Sequence, residues 1–201
     1  MLIEQVPVFF RGFFHPVLWR ESKKEKSIYL TFDDGPIPEV TPWVLDQLDA
    51  LSIKATFFCI GNNVEKNPDI FEEIKKRGHQ VGSHGYSHIR GMYKNTESFF
   101  ADIEKADTLI KSHLFRPPHG HITPVQIRAL KKYKIVLWDV ITRDYNPNLA
   151  PEKILVIAKK YTRNGSIIVF HDSLKAQENM RYAFPLAVKY FQEQGFVFKT
   201  L

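Results

Sequence analysis

The chain reads as an α/β protein, a distorted (β/α) barrel of about seven parallel strands. Two observations predict it. Apolar, β-prone runs alternate with amphipathic helical patterns along the chain, and seven such runs can be counted. The unusual polar residues fall at the C-terminal ends of those runs, the edge where parallel α/β folds assemble their sites. An open doubly wound sheet is the second choice, because no glycine-rich phosphate fingerprint follows any strand.

SIYLTF (27–32) is the first buried strand. Thr41-Pro42 then reads as an N-cap followed by proline at the first helical position, with Val44, Leu45, Leu48 and Leu51 forming the apolar stripe. ATFFCI (55–60) is the second strand, and Asn67-Pro68 repeats the cap-plus-proline start before Ile70, Phe71 and Ile74. HQVGSH gives a short strand and a loop, and Thr96 caps a helix carrying Phe99, Ile103, Ala106 and Ile110. LFRPP is extended, since a residue before proline is pushed out of the α region. Thr123-Pro124 opens another helix, and KIVLWDV is one strand. A helix from about Pro151 to Thr162, the strand SIIVFHD, a last helix kinked or divided by Pro185, and the closing strand FVFKTL complete the alternation.

At 201 residues this is one domain, with residues 1–26 as an N-terminal arm packed on a domain spanning 27–201. The arm is aromatic, but Arg11, Gly12, His15 and Pro16 interrupt it, so it lacks the h-region of a secretory signal. The cytoplasm is therefore the default compartment, with envelope association the alternative. No stretch approaches a membrane span, and Cys59 is the only cysteine, which rules out an internal disulfide and a cysteine-rich metal site. The net charge of +6 does not argue for nucleic acid. Lys75-Lys76-Arg77, Lys131-Lys132 and Lys159-Lys160 fall in last turns of expected helices, where cations complement the dipole. Nothing in the chain signals an oligomeric state.

Asp33 and Asp34 end the first strand, His84 and His88 follow the third, Arg116 ends LFR, Asp144 follows KIVLWDV and His171 ends SIIVF. In SHGYSH the two histidines are four apart, so a helical turn would put both imidazoles on one face. Two imidazoles plus one carboxylate suit a hydrolytic zinc centre, and equally a non-haem iron oxygenase. The paired aspartates can divide the labour, one coordinating a cation and the other accepting a proton. Arg116 can keep a carboxylate ionised and oriented. His171 suits a general acid backed by a carboxylate, with Asp144 the first candidate and Asp172 the second.

With TFDDGP, SHGYSH, RPPHG, WDVITRDY and IVFHD in this order, the chain resembles the polysaccharide deacetylases with a NodB-like catalytic domain, carbohydrate esterase family four, from about Ser27 to Leu201. The resemblance implies a distorted, TIM-barrel-like (β/α) fold and metal-dependent release of acetate from an N-acetylated amino-sugar polymer or oligosaccharide. It implies that Asp34, His84 and His88 hold a divalent metal, usually Zn2+, with Co2+, Ni2+, Fe2+ or Mn2+ as alternatives. Asp33 would be the catalytic base, positioned by Arg116, and His171 the general acid, oriented by Asp144. The His119 backbone N–H would be an oxyanion donor, and Val169 and Tyr145 would line the acetyl pocket. Four positions depart from the family's habit. Gly85 replaces a hydroxyl residue, His119 an aromatic, Ile141 an aspartate and Tyr145 a tryptophan. Rival readings are a hydrolase of a small amide, imide or formamide on the same scaffold, and a non-catalytic carbohydrate-binding relative.

Overall fold

Strand β1, Ser27–Asp33, sets the frame, because it is buried on both sides along nearly its whole length. Ile28, Leu30 and Phe32 point outward to the helices, and the alternating Thr31 and Asp33 point inward, as a two-residue period requires. The computed structural model describes residues 4–93 and 95–201, so the first three residues of the expected arm lie outside the described residues. The remaining strands are β2 Thr56–Cys59, β3 Gln80–Ser83, β4 Leu114–Phe115, β5 Lys134–Ile135, β6 Val140–Ile141, β7 Ile167–His171 and β8 Val197–Phe198. Their order is β5-β4-β3-β2-β1-β7-β6, with β8 beside the start of β1, and every paired strand is parallel. Seven strands thus curl into a half-barrel, the distorted barrel expected from the sequence.

The helices are α1 Val8–Arg11, α2 Thr41–Ala50, α3 Gly61–Lys66, α4 Pro68–Lys76, α5 Thr96–Ile110, α6 Pro124–Ala129, α7 Pro151–Tyr161 and α8 Gln177–Glu193. The main core lies between the sheet and helices such as α2, α7 and α8, where Leu45, Leu48, Ile154, Phe184 and Val188 meet Phe32 and Phe170. A small interior cluster of Phe58, Leu114, Val136 and Ile167 fills the barrel below the site.

Several local expectations are corrected. KIVLWDV is two strands, not one. Its start pairs with β4 and its end with β7, so 136–139 bends across the gap between the sheet edges. The arm enters that gap: the Leu18 N–H donates to the Ile135 carbonyl (2.9 Å), Leu137 donates to Leu18 (2.8 Å), and Glu21 donates to Gly165 (2.9 Å). Thr41 lies inside α2 and does not cap it, its hydroxyl being used elsewhere, and Asn95 rather than Thr96 caps α5. The Thr123-Pro124 helix start stands as expected, with Thr123 and Gln126 forming a capping box. Helix α3 was not anticipated, because its six residues carry too little apolar periodicity. Lys131 and Lys132 lie beyond the end of α6. Pro185 sits inside a single α8 and does not divide it. The closing strand keeps only Val197 and Phe198 of FVFKTL.

Asp139 docks the arm. Its fully buried carboxylate accepts from Arg11 (2.7 Å), Arg163 (2.8 and 3.0 Å) and the Ser166 hydroxyl (2.8 Å). Burial alone would raise its pKa, but the hydrogen bonds from Arg163, Arg11 and Ser166 outweigh it and hold the group at about 2. Because the folded value is depressed, this contribution is present above the ordinary 3.8 and is lost as pH falls through about 2. Asp139→Ala leaves the Arg11 and Arg163 guanidinium groups and the buried Ser166 hydroxyl without their shared acceptor and should cost about 1–3 kcal/mol, read as a lower urea midpoint at neutral pH, with the deficit shrinking in acid.

Candidate active site

The barrel's C-terminal edge gathers the polar residues. Arg116 follows β4 and is fully buried. Its guanidinium donates to Asp33 Oδ1 (2.6 Å), the Thr31 hydroxyl (2.7 Å) and the carbonyls of Leu137 (3.2 Å) and Val136 (3.3 Å), and it stacks 4.0 Å above the Phe58 ring centroid. Asp33, the last residue of β1, therefore has one oxygen clamped, while Oδ2 lies 4.0 Å from His84 Nε2. The Arg116 carbonyl also accepts from His84 Nδ1 (2.7 Å), which fixes the tautomer and leaves the Nε2 lone pair facing the site. Burial, then the neighbouring His88, push the His84 pKa well below its ordinary value, so the ring is neutral and able to ligate.

Asp34 Oδ1 lies 3.4 Å from His88 Nε2 and 3.9 Å from His84 Nε2, and one ligand atom from each residue falls within 4.8 Å of the others. That Asp34 oxygen is buried and has no hydrogen-bond partner. A buried carboxylate oxygen left so, facing two imidazole nitrogens, fits a cation and little else. The histidines do not meet on a helical turn, as their spacing had suggested. They lie on a loop after β3 in which Gly85 (φ 74°) and His88 (φ 54°) are left-handed. Asp102 of α5 holds this loop by accepting from the N–H groups of Tyr86 (2.8 Å) and Ser87 (2.9 Å). A Cβ on Gly85 would come within 2.8 Å of that carboxylate, so both the conformation and the space call for glycine.

On the opposite wall, Asp144 Oδ1 accepts from His171 Nδ1 (2.7 Å) and Oδ2 from the His171 backbone N–H (2.7 Å). Burial pulls His171 down, but the Asp144 charge and hydrogen bond, helped by Asp34 and Asp33, outweigh it and lift the imidazolium to about 9. Asp172 does not partner His171; it binds Gly35 and Thr41 instead. The Tyr145 ring stands edge-on to His171, with centroids 4.8 Å apart.

Asp33, Asp34, His84, His88, Tyr145 and His171 line a cavity of about 550 Å³, together with His119 and Ile141, while Arg116 and Asp144 lie behind its wall. His119 is left-handed (φ 59°), and burial, then His88 and Arg90, lower its imidazole to about 4. Val169 is fully buried on β7 and does not line the cavity. It shares the strand face of His171 but lies two residues deeper, and its carbonyl accepts from the Thr142 hydroxyl (2.8 Å). Sequence reasoning missed Arg90, His121, Trp138, Ser173 and Lys175, which also line the cavity. His121, Ser173 and Lys175 are two to four residues from recognised motif positions, and that proximity was the available signal.

A parallel barrel edge that sets an Asp–His–His cluster between a clamped carboxylate and a carboxylate-backed imidazole defines a hydrolase class in which a metal and an acid–base pair share one cleft. Residues 20–138 match the family model for polysaccharide deacetylases, and the chain belongs to that family. It is 33% identical over 195 residues to a peptidoglycan-N-acetylglucosamine deacetylase of Bacillus cereus, covering 92% of this chain and 91% of the relative. It is 32% identical to the peptidoglycan-N-acetylglucosamine deacetylase PgdA of Listeria monocytogenes, covering 90% of this chain but 39% of that longer protein. The crystal structure of the Bc1960 peptidoglycan N-acetylglucosamine deacetylase superposes with a TM-score of 0.89 at 28% identity, over 98% of this chain and 95% of that one.

The left-handed Gly85 generates a direct test. Gly85→Ala should destabilise the protein by about 1–2 kcal/mol and weaken metal binding, measured by thermal unfolding and by chelator competition.

Proposed function

We propose that the chain hydrolyses the acetamide C–N bond of N-acetylated amino sugars in a polymer or oligosaccharide, releasing acetate and leaving a free amine. The observation that carries this reading is the placement of a clamped carboxylate and a carboxylate-backed imidazole on one cavity. Arg116-clamped Asp33 and Asp144-backed His171 both face the cavity that holds Asp34, His84 and His88. The relatives' activity on peptidoglycan N-acetylglucosamine supports the same substrate class.

Asp34, His84 and His88 would hold the divalent cation, with zinc the occupant we favour for a two-imidazole, one-carboxylate set. Such an ion supplies Lewis acidity and lowers the pKa of water toward about 7. Asp33 accepts the proton of the attacking water through the oxygen Arg116 leaves open. The His119 backbone N–H faces the negative charge that develops on the carbonyl oxygen; one such donor is typically worth about 3–4 kcal/mol. His171, protonated below about 9, hands its proton to the departing nitrogen as the C–N bond breaks. Arg116 and Asp144 act as positioning residues for these two groups, and Tyr145 walls the side of the cleft beside His171. Val169, two residues before His171 on β7, is fully buried behind the cavity lining.

Acetate release from chito-oligosaccharide and peptidoglycan, compared between metal-free and zinc-loaded protein, tests the reading; loaded protein that releases none from either would refute it. Asp33→Asn should keep its zinc and lose about 10²–10⁴-fold in turnover, whereas Asp34→Ala should lose both.

The active form carries a protonated His171, so kcat/KM should fall as pH rises through about 9. Asp144→Asn removes the charge that lifts His171 and should move this alkaline limb toward acid while lowering the plateau. A limb that stays in place in Asp144→Asn would detach His171 from the profile.

A further inference from the structure

Asp172 is a fully buried carboxylate to which the mechanism above gives no task. Its two oxygens bind the turn that carries Asp34. Oδ1 accepts from the Gly35 N–H (3.0 Å), and Oδ2 accepts from the Thr41 hydroxyl (2.6 Å). The Thr41 oxygen in turn accepts from the Ile37 N–H (2.8 Å), so a single carboxylate secures residues 35–37 from the side of β7. Its own backbone N–H donates to the Asp33 carbonyl (3.1 Å). From the other side, Asn63 donates to the Asp34 carbonyl (2.7 Å) and Asn67 to the Pro36 carbonyl (3.3 Å).

Between these grips Asp34 is held at φ 89°, a conformation that is costly for a non-glycine residue and persists only when its surroundings impose it. The fit at Gly35 is tight: a Cβ there would fall 1.9 Å from Asp172 Oδ2. Two acceptors at that spot are what the turn needs, since Gly35 and Thr41 both present donors.

We propose that Asp172 is a positioning residue for the metal site, holding Asp34 in its left-handed conformation so that Oδ1 points at His84 and His88. The inference rests on the reading of Asp34, His84 and His88 as metal ligands. Groups that orient metal ligands typically change affinity by about 10–100-fold when removed.

The test is zinc affinity, measured on the full chain by competition with a chromogenic chelator, alongside circular dichroism of the metal-free protein. Asp172→Ala should bind zinc about 10–100-fold more weakly while remaining folded. Asp172→Asn keeps an acceptor for Gly35 and should recover most of that loss. Thr41→Val leaves Asp172 intact but breaks its outer link to the turn, and should weaken zinc severalfold; it also serves if Asp172→Ala does not fold. Wild-type affinity in folded Asp172→Ala, or equal losses in the Ala and Asn variants, would overturn the inference, the second outcome showing that charge rather than the hydrogen bond matters. Failure of the wild-type protein to bind zinc would overturn the metal reading itself.

Discussion

A guanidinium with no exposed surface organises the site. Burying a charge is costly unless it is paired and its donors are satisfied, and Arg116 meets both conditions with one carboxylate, one hydroxyl, two carbonyls and an aromatic face. The partners come from β1, β2 and the 136–137 bend, so the pair forms only when the barrel has closed. Its backbone carbonyl then fixes His84. One residue thus orients both the proposed base and a proposed ligand, and the geometry of the chemistry is inherited from barrel closure.

Strain is the second constraint. Asp34, His88, His119 and Arg143 all adopt positive φ, and three of the four line the cavity. Such conformations are costly on their own, and hydrogen bonds hold two of them, those of Asn63 on the Asp34 turn and Asp102 on the His88 loop. Rigid loops of this kind hold ligand atoms close without a cation already present, which lowers the reorganisation needed on binding.

Much of this was legible in the sequence. Strand-helix alternation gave the barrel, and the polar residues at strand ends gave Asp33, Asp34, His84, Arg116, Asp144 and His171 in the right neighbourhood, because side chains leaving parallel strands at one edge converge wherever the sheet curls. What stayed hidden depends on tertiary contacts. The break in KIVLWDV is invisible locally, since an apolar run reads the same whether it pairs at one edge or two. Thr41 has the signature of a cap, yet a buried carboxylate more than a hundred residues away recruits its hydroxyl. The histidine spacing suggested a helix, and Gly85 with its positive φ produced the same convergence from a loop. Val169, placed at the acetyl pocket by the family resemblance alone, is fully buried on β7 and is not among the residues lining the cavity.

The N-terminal arm belongs to this logic as well. Its Leu18 carbonyl accepts from the Leu137 N–H, and the Leu137 carbonyl in turn accepts from Arg116. Two residues further on, Asp139 binds Arg11 of the same arm. The bend that the arm secures is therefore the one that supplies the inner acceptors of the buried guanidinium. The peptide unit 136–137 serves both ends of this chain of contacts, its N–H donating to Leu18 of the arm and its Val136 carbonyl accepting from Arg116, so the arm, remote from the proposed metal ligands in sequence, contributes to the orientation of Asp33 through the backbone rather than through any contact with substrate.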